Sequence, residues 1–406
     1  MSCRALTLTY LLPDTTFFGG NKVSLHQANL MARRGHEVTI VCPAPPPDWY
    51  PVEARFVELP APLAVLPAAE LPAADVTIAT FWTTIAPAAA AVAAAGRGEV
   101  VHYCQGFEAS YTHNRAEHPA ILAAYALPLP AFAVSSHLAE LLRRRFGRPA
   151  RVVPQALEPY WSPAGGEGGR GRDVEGGRPR YGEGGDPPDS KAGRGPDGEH
   201  DGGRQGPGWP PRVLVVSPFE IDWKGVATAL RAVRLLRRDG CDCRLVRLSQ
   251  WPLIGAEREL LTPDEFHHRL APPEAARLVA GCDLLLAPSW EQEGFGLPAL
   301  EAMACGVPVV ASDVSCYRGF AAGAATLVPY DDSAAFARAA RALLADPAAW
   351  RRARAAGLEV ASAFAERSAA AAAEDALAWV ADGRWRFELS AAAAAGEPVK
   401  AEPAEG

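Results

Sequence analysis

The 406-residue chain lacks several patterns that would fix a function class at once. Its eight cysteines are Cys3, Cys42, Cys104, Cys241, Cys243, Cys282, Cys305 and Cys316. They form no C-x-x-C pair and no Cys/His cluster with zinc-ligand spacing. They read as free thiols of a reducing cytoplasm. An excess of positive charge is also missing. The formal net charge is -7, from 40 Lys and Arg against 47 Asp and Glu. A nucleic-acid binder would normally carry a basic domain, so that class is excluded. Met1 to Leu12 has no basic start, no adequate apolar run and no small-residue cleavage site, so no secretory signal is expected there. Val76 to Gly96 is uncharged over a length that could span a bilayer. It is mostly Ala and Thr, with Pro87 inside. A strand, Val76 to Thr80, followed by an Ala-rich helix after Pro87 accounts for it better.

What is present suits a globular protein of two to three domains. The chain is 49% hydrophobic and 21% charged, enough apolar material for two cores. A strand at Ala5 to Leu11 leads into a loop, Pro13 to Lys22, and a helix at Val23 to Arg34 closed by Gly35. Glu37 to Cys42 is a β-branched strand. This strand–glycine loop–helix–strand unit implies a parallel sheet. Val76 to Thr80, Glu99 to Tyr103, Ala131 to Ser135 and Arg151 to Val153 continue it, with a helix at Ser136 to Phe146. Pro163 to Pro211 is dominated by Gly, Pro, Arg, Asp and Glu. Such a stretch cannot bury enough apolar surface to offset its ordering entropy, so a disordered insert is expected. Strands resume at Val213 to Ser217, Cys243 to Leu248, Leu284 to Ala287, Val307 to Ala311 and Thr326 to Val328. Lys224 to Arg238 is an amphipathic helix, with Val226, Ala229, Leu230, Val233 and Leu236 on one stripe. Ala334 to Leu344 and much of Pro347 to Val380 are helical. The expected layout is a first doubly wound α/β domain at 1–162, the insert at 163–211, a second such domain at 212–389, and a frayed tail at 390–406. Its last helices are candidates to pack back on the first domain. Ligands of such sheets bind at the carboxyl ends of strands, here a cleft between two domains.

The most informative segment runs from Pro288 to Val310. After a buried strand, Gly294 and Gly296 give a loop whose backbone can approach a ligand closely. Pro298 suits the first position of a helix and Gly306 the residue past its end, which predicts a helix at Pro298 to Cys305. Its free amides point back into the loop, where they could hold a diphosphate. Glu293 lies in the loop and Glu301 in the first turn, so both carboxylates can face one ligand as acceptors for sugar hydroxyls.

Glu293 and Glu301 form an E-x7-E pattern within EGFGLPALEAMACGVPVVAS. This resembles the hallmark of family 4 of the glycosyltransferases, which has the GT-B fold: two facing Rossmann-like doubly wound domains. The resemblance implies that Glu293 contacts the donor sugar and takes part in catalysis. It implies that the backbone of Gly294, Phe295, Gly296 and Leu297 holds the diphosphate, and that Glu301 binds ribose hydroxyls. Gly19, Gly20 and Lys22, within Phe18-Gly-Gly-Asn-Lys22, resemble the family's N-terminal glycine loop, which approaches the donor diphosphate from the other domain. Lys224, before Gly225, resembles its phosphate-binding lysine, a catalytic group. The family usually has an arginine about five residues earlier, and Ser217 to Trp223 holds none. Lys22 or the two helix N-termini are left to supply that charge.

His102, Gln105 and Glu108 follow the fourth strand and are candidate acceptor or sugar contacts. His102 has a structural alternative. Val153 to Pro163 resembles the segment that closes the family's first domain, with a hinge and packing role. Arg247-Leu-Ser-Gln250 stands where the family commonly has Gly-x-Gly. Arg143, Arg144 and Arg145, with Arg148 and Arg151, offer a contact with anionic lipid; a solvated helix face is the alternative.

The resemblance implies a retaining, metal-independent transfer of a sugar from a nucleotide diphosphate donor, without a cofactor. The acceptor would be a glycan, a lipid-linked sugar or a small molecule, as in cell-surface polysaccharide synthesis. The setting would be cytoplasmic or membrane-associated. A catalytically silent nucleotide-sugar sensor or scaffold subunit is the other reading.

Overall fold

A computed structural model describes residues 4–62, 72–164 and 206–394. Seven parallel strands form the first sheet: β1 (Thr7–Leu11), β2 (Glu37–Cys42), β3 (Arg55–Glu58), β4 (Val76–Ala79), β5 (Glu99–Cys104), β6 (Ala131–Ala133) and β7 (Ala150–Val152). Their order is β3-β2-β1-β4-β5-β6-β7. Six more form the second: β8 (Arg212–Val216), β9 (Arg244–Ser249), β10 (Glu265–His268), β11 (Leu284–Ala287), β12 (Val309–Ser312) and β13 (Thr326–Val328), in the order β10-β9-β8-β11-β12-β13. In both, the order reverses beside the first strand, which opens a crevice at the strands' carboxyl ends. Every pairing is parallel, so helices must carry the chain back across each face.

The first domain's helices are α1 (Gly19–Arg33), α2 (Trp82–Ala95), α3 (His118–Tyr125) and α4 (Ser136–Phe146). The second contains α5 (Val226–Arg238), α6 (Gly255–Leu260), α7 (Pro272–Ala280), α8 (Leu297–Ala304), α9 (Ser315–Phe320), α10 (Ser333–Ala345) and α11 (Pro347–Ser362). The apolar stripe of α5 is buried as its spacing predicts: Val226, Ala229, Leu230, Val233 and Leu236 all face the core. Each large aliphatic of that stripe contributes about 1.5–3 kcal/mol.

Three local differences from the sequence expectation have physical reasons. Helix α1 begins at Gly19, four residues before Val23, because the Lys22 N–H closes a turn on the Phe18 carbonyl at 3.0 Å. Asn21 Nδ2 also donates to Asp14 Oδ1 at 2.9 Å, tying the loop to that turn. Helix α2 starts at Trp82 and runs through Pro87. Thr84 and Phe81 exchange hydrogen bonds of 2.7 and 3.2 Å, which opens the helix earlier, and Pro87 costs it only one backbone bond. Strands β3 and β10 were not expected. They are the outermost strands of one edge of each sheet and only partly covered, so Arg-Phe-Val-Glu and Glu-Phe-His-His need no aliphatic run.

The last helices, α12 (Glu366–Ala381) and α13 (Trp385–Ala394), return to the first domain. α12 packs on α1, β4 and β5. Glu366 accepts from Arg33 at 2.9 Å and lies 2.8 Å from His26 Nε2, while Glu374 takes Arg34 in a two-pronged pair. Arg386 of α13 reaches Glu99 at 2.7 Å. Most of the expected insert lies outside the described residues, at 165–205. Beyond it, the Gly208 N–H donates to Asp283 Oδ1 at 2.7 Å, so this end is docked on the second domain. The tail past Ala394 lies outside the described residues. No helix among the described residues is long and apolar enough to cross a membrane.

Candidate active site

Loops from the carboxyl ends of β1, β5, β6, β8 and β11 meet in one cleft between the domains. Helix α1 enters it with its first turn, and Gly19 and Gly20 belong to that turn rather than to a free loop. Helix α8 enters from the opposite side, with Leu297 close to Gly19; a Cβ on that glycine would sit 3.6 Å from Leu297 Cδ1. Neither helix has a side chain capping its N-terminus. Two positive dipole ends therefore face one space.

Each glutamate of the E-x7-E pair holds a different lysine. Glu293 Oε2 lies 2.7 Å from Lys224 Nζ, within the second domain. It also accepts from Ser289 Oγ at 2.9 Å and from the Phe295 N–H. Burial alone would raise its carboxyl, but Lys224, Ser289 and Phe295 outweigh burial and hold it below the usual range. Glu301 instead meets Lys22 of the first domain, Oε1 to Nζ 2.8 Å. Burial and the nearby Glu158 raise Glu301 more than Lys22 lowers it.

Lys22 is shared. Its Nζ is 3.2 Å from Glu158 Oε2 as well, and it lies 4.9 Å from the Trp161 ring centroid. Burial opposes its charge, yet the two carboxylates raise it above the ordinary lysine value. Two anions thus already match this one cation. Lys22 does not by itself replace the missing arginine, and the two helix N-termini are the remaining source of positive potential.

Glu158 is one site residue that the sequence pattern does not reveal. It sits in the Val153 to Pro163 segment, whose expected role is hinge and packing. Its carboxylate accepts from Tyr50 OH at 3.1 Å, Tyr160 OH at 2.7 Å and Trp161 Nε1 at 3.2 Å. Burial would raise it, but Lys22, His26 and Tyr160 carry it down to about 2. The available signal was one acid between apolar residues and two aromatics. Tyr111 and Trp223 were also missed. Their rings stack across the cleft with centroids 5.0 Å apart and an interplanar angle of 11°, and Lys224 Nζ lies 4.3 Å from the Trp223 centroid.

The domains touch through backbone at the Glu293 loop. A Cβ on Gly294 would meet the Gln105 carbonyl oxygen at 2.0 Å, so no larger residue fits. Ser135 Oγ donates to the Gly294 carbonyl at 2.8 Å. Gln105 therefore lies in the cleft, its Nε2 donating to Ser24 Oγ of α1 at 2.9 Å. Phe295 contributes backbone only; its ring stacks on Phe320 at 4.6 Å in the core. Lys224 ends a short 3-10 turn, Asp222–Lys224, rather than starting α5.

Two candidate contacts are turned away from the cleft. His102 is fully buried in β5, its Nδ1 3.4 Å from Arg148 Nη1 and its ring 5.0 Å from Tyr125. Burial and the Arg148 charge push it well below the ordinary histidine range, so it is neutral. Glu108 is 4% exposed and bonds Tyr125 OH inside the first domain; burial lifts its carboxyl to about 7. The basic run divides too. Arg143 and Arg144 pair with Glu140 and are solvent-facing, and Arg145 lies over Phe107. Arg148 is buried against the Leu129 and Pro130 carbonyls, and Arg151 pairs with Glu388, so neither joins a lipid-facing patch.

Residues 210–346 match the family described as "Glycosyl transferases group 1". The stretch similar to the MMP alpha-(1->4)-mannosyltransferase of Mycolicibacterium hassiacum is 35% identical over 107 residues, 25% of this chain and 26% of that protein. A phosphatidyl-myo-inositol mannosyltransferase of Mycobacterium leprae is 42% identical over 86 residues, 21% of this chain and 23% of its own. The chain thus spans about a quarter of the length of these curated relatives. Likeness to solved structures extends over nearly the whole chain. A sucrose-phosphate synthase from Thermosynechococcus elongatus superposes with TM-score 0.65 at 18% identity, covering 96% of this chain and 100% of that one. Anabaena HepE in complex with UDP-glucose gives 0.64 at 15%, covering 95% and 100%. The chain has the GT-B fold. In GT-B terms, the cleft just described is the space between the two Rossmann-like domains, and residues 210–346 cover most of the second.

Proposed function

We propose that this GT-B chain is a glycosyltransferase of the family 4 type, taking a sugar from a nucleotide diphosphate donor with retention of anomeric configuration. The observation that carries the reading is the pair of uncapped helix N-termini, α1 and α8, opposed across the cleft between the Lys224–Glu293 and Lys22–Glu301 pairs. Unpaired backbone N–H groups and the positive end of the dipole make helix N-termini favourable sites for a diphosphate. The curated relatives supply the expectation of sugar transfer, and the UDP-glucose held by Anabaena HepE the expectation of a nucleotide sugar.

In this reading Lys224 neutralises the departing diphosphate and Glu293 accepts from donor sugar hydroxyls. Glu301 takes the ribose hydroxyls, beside Lys22. The leaving diphosphate oxygen removes the acceptor proton on the face where the new bond forms. This front-face route needs no protein nucleophile and no metal. Charge that develops on the diphosphate is met by groups already in place, which is where electrostatic catalysis is most effective. The acceptor, a glycan, a lipid-linked sugar or a small molecule of cell-surface polysaccharide synthesis, enters beside Gln105 and Tyr111. Arg143, Arg144 and Arg145 are the face for anionic lipid if the acceptor is lipid-linked.

The test is a thermal-shift screen with UDP-, GDP- and ADP-sugars, since ligand bound to the folded state raises apparent stability. Donor hydrolysis and transfer follow, with and without EDTA, and the product anomer is read by NMR. Binding without turnover points to the silent sensor instead. An inverted product, or loss of turnover in EDTA, contradicts the mechanism.

A further inference from the structure

The loop that carries Lys224 is held at both ends. Its first residue, Ser217, has φ 118, a backbone conformation that residues with a Cβ rarely adopt. Such geometry persists where the surroundings over-determine it. Here the Ser217 N–H donates to the Leu248 carbonyl at 3.1 Å, and its own carbonyl accepts from Arg247 Nη2 at 2.9 Å. At the far end, a Cβ on Gly225 would sit 2.1 Å from the Pro288 carbonyl oxygen, and the Trp290 N–H donates to the Trp223 carbonyl at 2.8 Å. Between these anchors the chain makes one tight turn, and Lys224 reaches Glu293.

Arg247 is 0% exposed. Besides Ser217, it donates through Nη1 to the Val215 carbonyl at 2.7 Å and through Nε to Glu257 Oε1 at 2.5 Å. Glu257 is equally buried. A buried ion pair is a poor source of stability, because desolvation offsets the attraction and an apolar pair packs as well. A guanidinium is nonetheless the side chain whose planar fork can meet two carbonyls and a carboxylate at once.

We propose that Arg247 is a positioning residue: by gripping the Ser217 carbonyl it fixes the loop that delivers Lys224 to Glu293. The inference rests on the reading of Lys224 as the cation facing the diphosphate. Glu257 aims the guanidinium and neutralises it. Enclosed by these partners, Arg247 touches no donor and acts through the backbone of residues 217–224.

The test removes both charges together, Arg247→Met with Glu257→Leu, which leaves no buried ion unpaired. Amide hydrogen exchange of residues 217–225 should speed up about tenfold or more, while α10 keeps its protection. Turnover of UDP-glucose or GDP-mannose should fall about tenfold, and the same pair of changes should add little in a Lys224→Ala background, because the two act as a unit. Unchanged exchange at 217–225, or a full additional loss on Lys224→Ala, overturns the proposal. If the wild-type chain turns over neither sugar nucleotide, the functional reading fails, while the exchange measurement still decides whether Arg247 holds the loop. If the double variant does not fold, Arg247→Lys gives the same exchange readout: charge is kept and the fork is lost.

Discussion

Lys22 and Glu301 lie 279 positions apart in sequence and 2.8 Å apart in space, one on each side of the cleft. With Glu158 on its other side, Lys22 is the cation that joins the two domains at the site. Replacing Lys22 with Met leaves two buried carboxylates without their cation. Breaking such a pair costs about 3–5 kcal/mol. A clear fall in denaturation midpoint is expected for Lys22→Met, partly recovered by adding Glu158→Gln. Equal midpoints for Lys22→Met and wild type count against the pairing.

Lys224→Ala removes the cation beside Glu293. Loss of one preorganised electrostatic group typically lowers turnover by about 10²–10³. Donor binding should weaken less, because helices α1 and α8 keep their dipoles. Lys224→Arg should recover part of the rate. The check is donor hydrolysis and transfer under saturating donor; near-wild-type turnover of Lys224→Ala refutes its role.

Gly294→Ala places a methyl against the Gln105 carbonyl, where the gap is 2.0 Å. Neither backbone can yield without separating the domains. The variant should keep its circular dichroism but show a larger radius of gyration by small-angle X-ray scattering, with turnover lost. A closed, active Gly294→Ala contradicts the close approach.

Glu108 and Glu158 should act oppositely with pH. Glu108 is lifted to about 7, so the folded chain binds its proton more tightly than the unfolded chain. Its stabilising contribution, about 3 kcal/mol, is full below about pH 4.5 and is lost as pH rises to about 7. Glu158 is depressed to about 2, so its contribution is present above the ordinary carboxylate range and is lost as pH falls towards 2. Glu108→Gln should remove the decline between pH 5 and 7.5 that wild type shows in melting scans. If both chains show the same slope there, Glu108 is not the group responsible.

The amino-acid sequence alone dictates the alternation of strands and helices, because apolar runs and glycine punctuation are local signals. It also located the Pro288 to Val310 segment, whose glycine loop and Pro-started helix are spelled out in consecutive residues. The buried stripe of α5 followed from its spacing alone. Tertiary structure decided which lysine meets which glutamate, since Lys22 with Glu301 and Lys224 with Glu293 depend on loops from distant strands. It turned His102 and Glu108 inward, where Arg148 and Tyr125 hold them, and it made Glu158 a hub. Local pattern carries no information about such pairings: a charged side chain spends its hydrogen bonds on whatever the packing of two domains brings within about 3 Å.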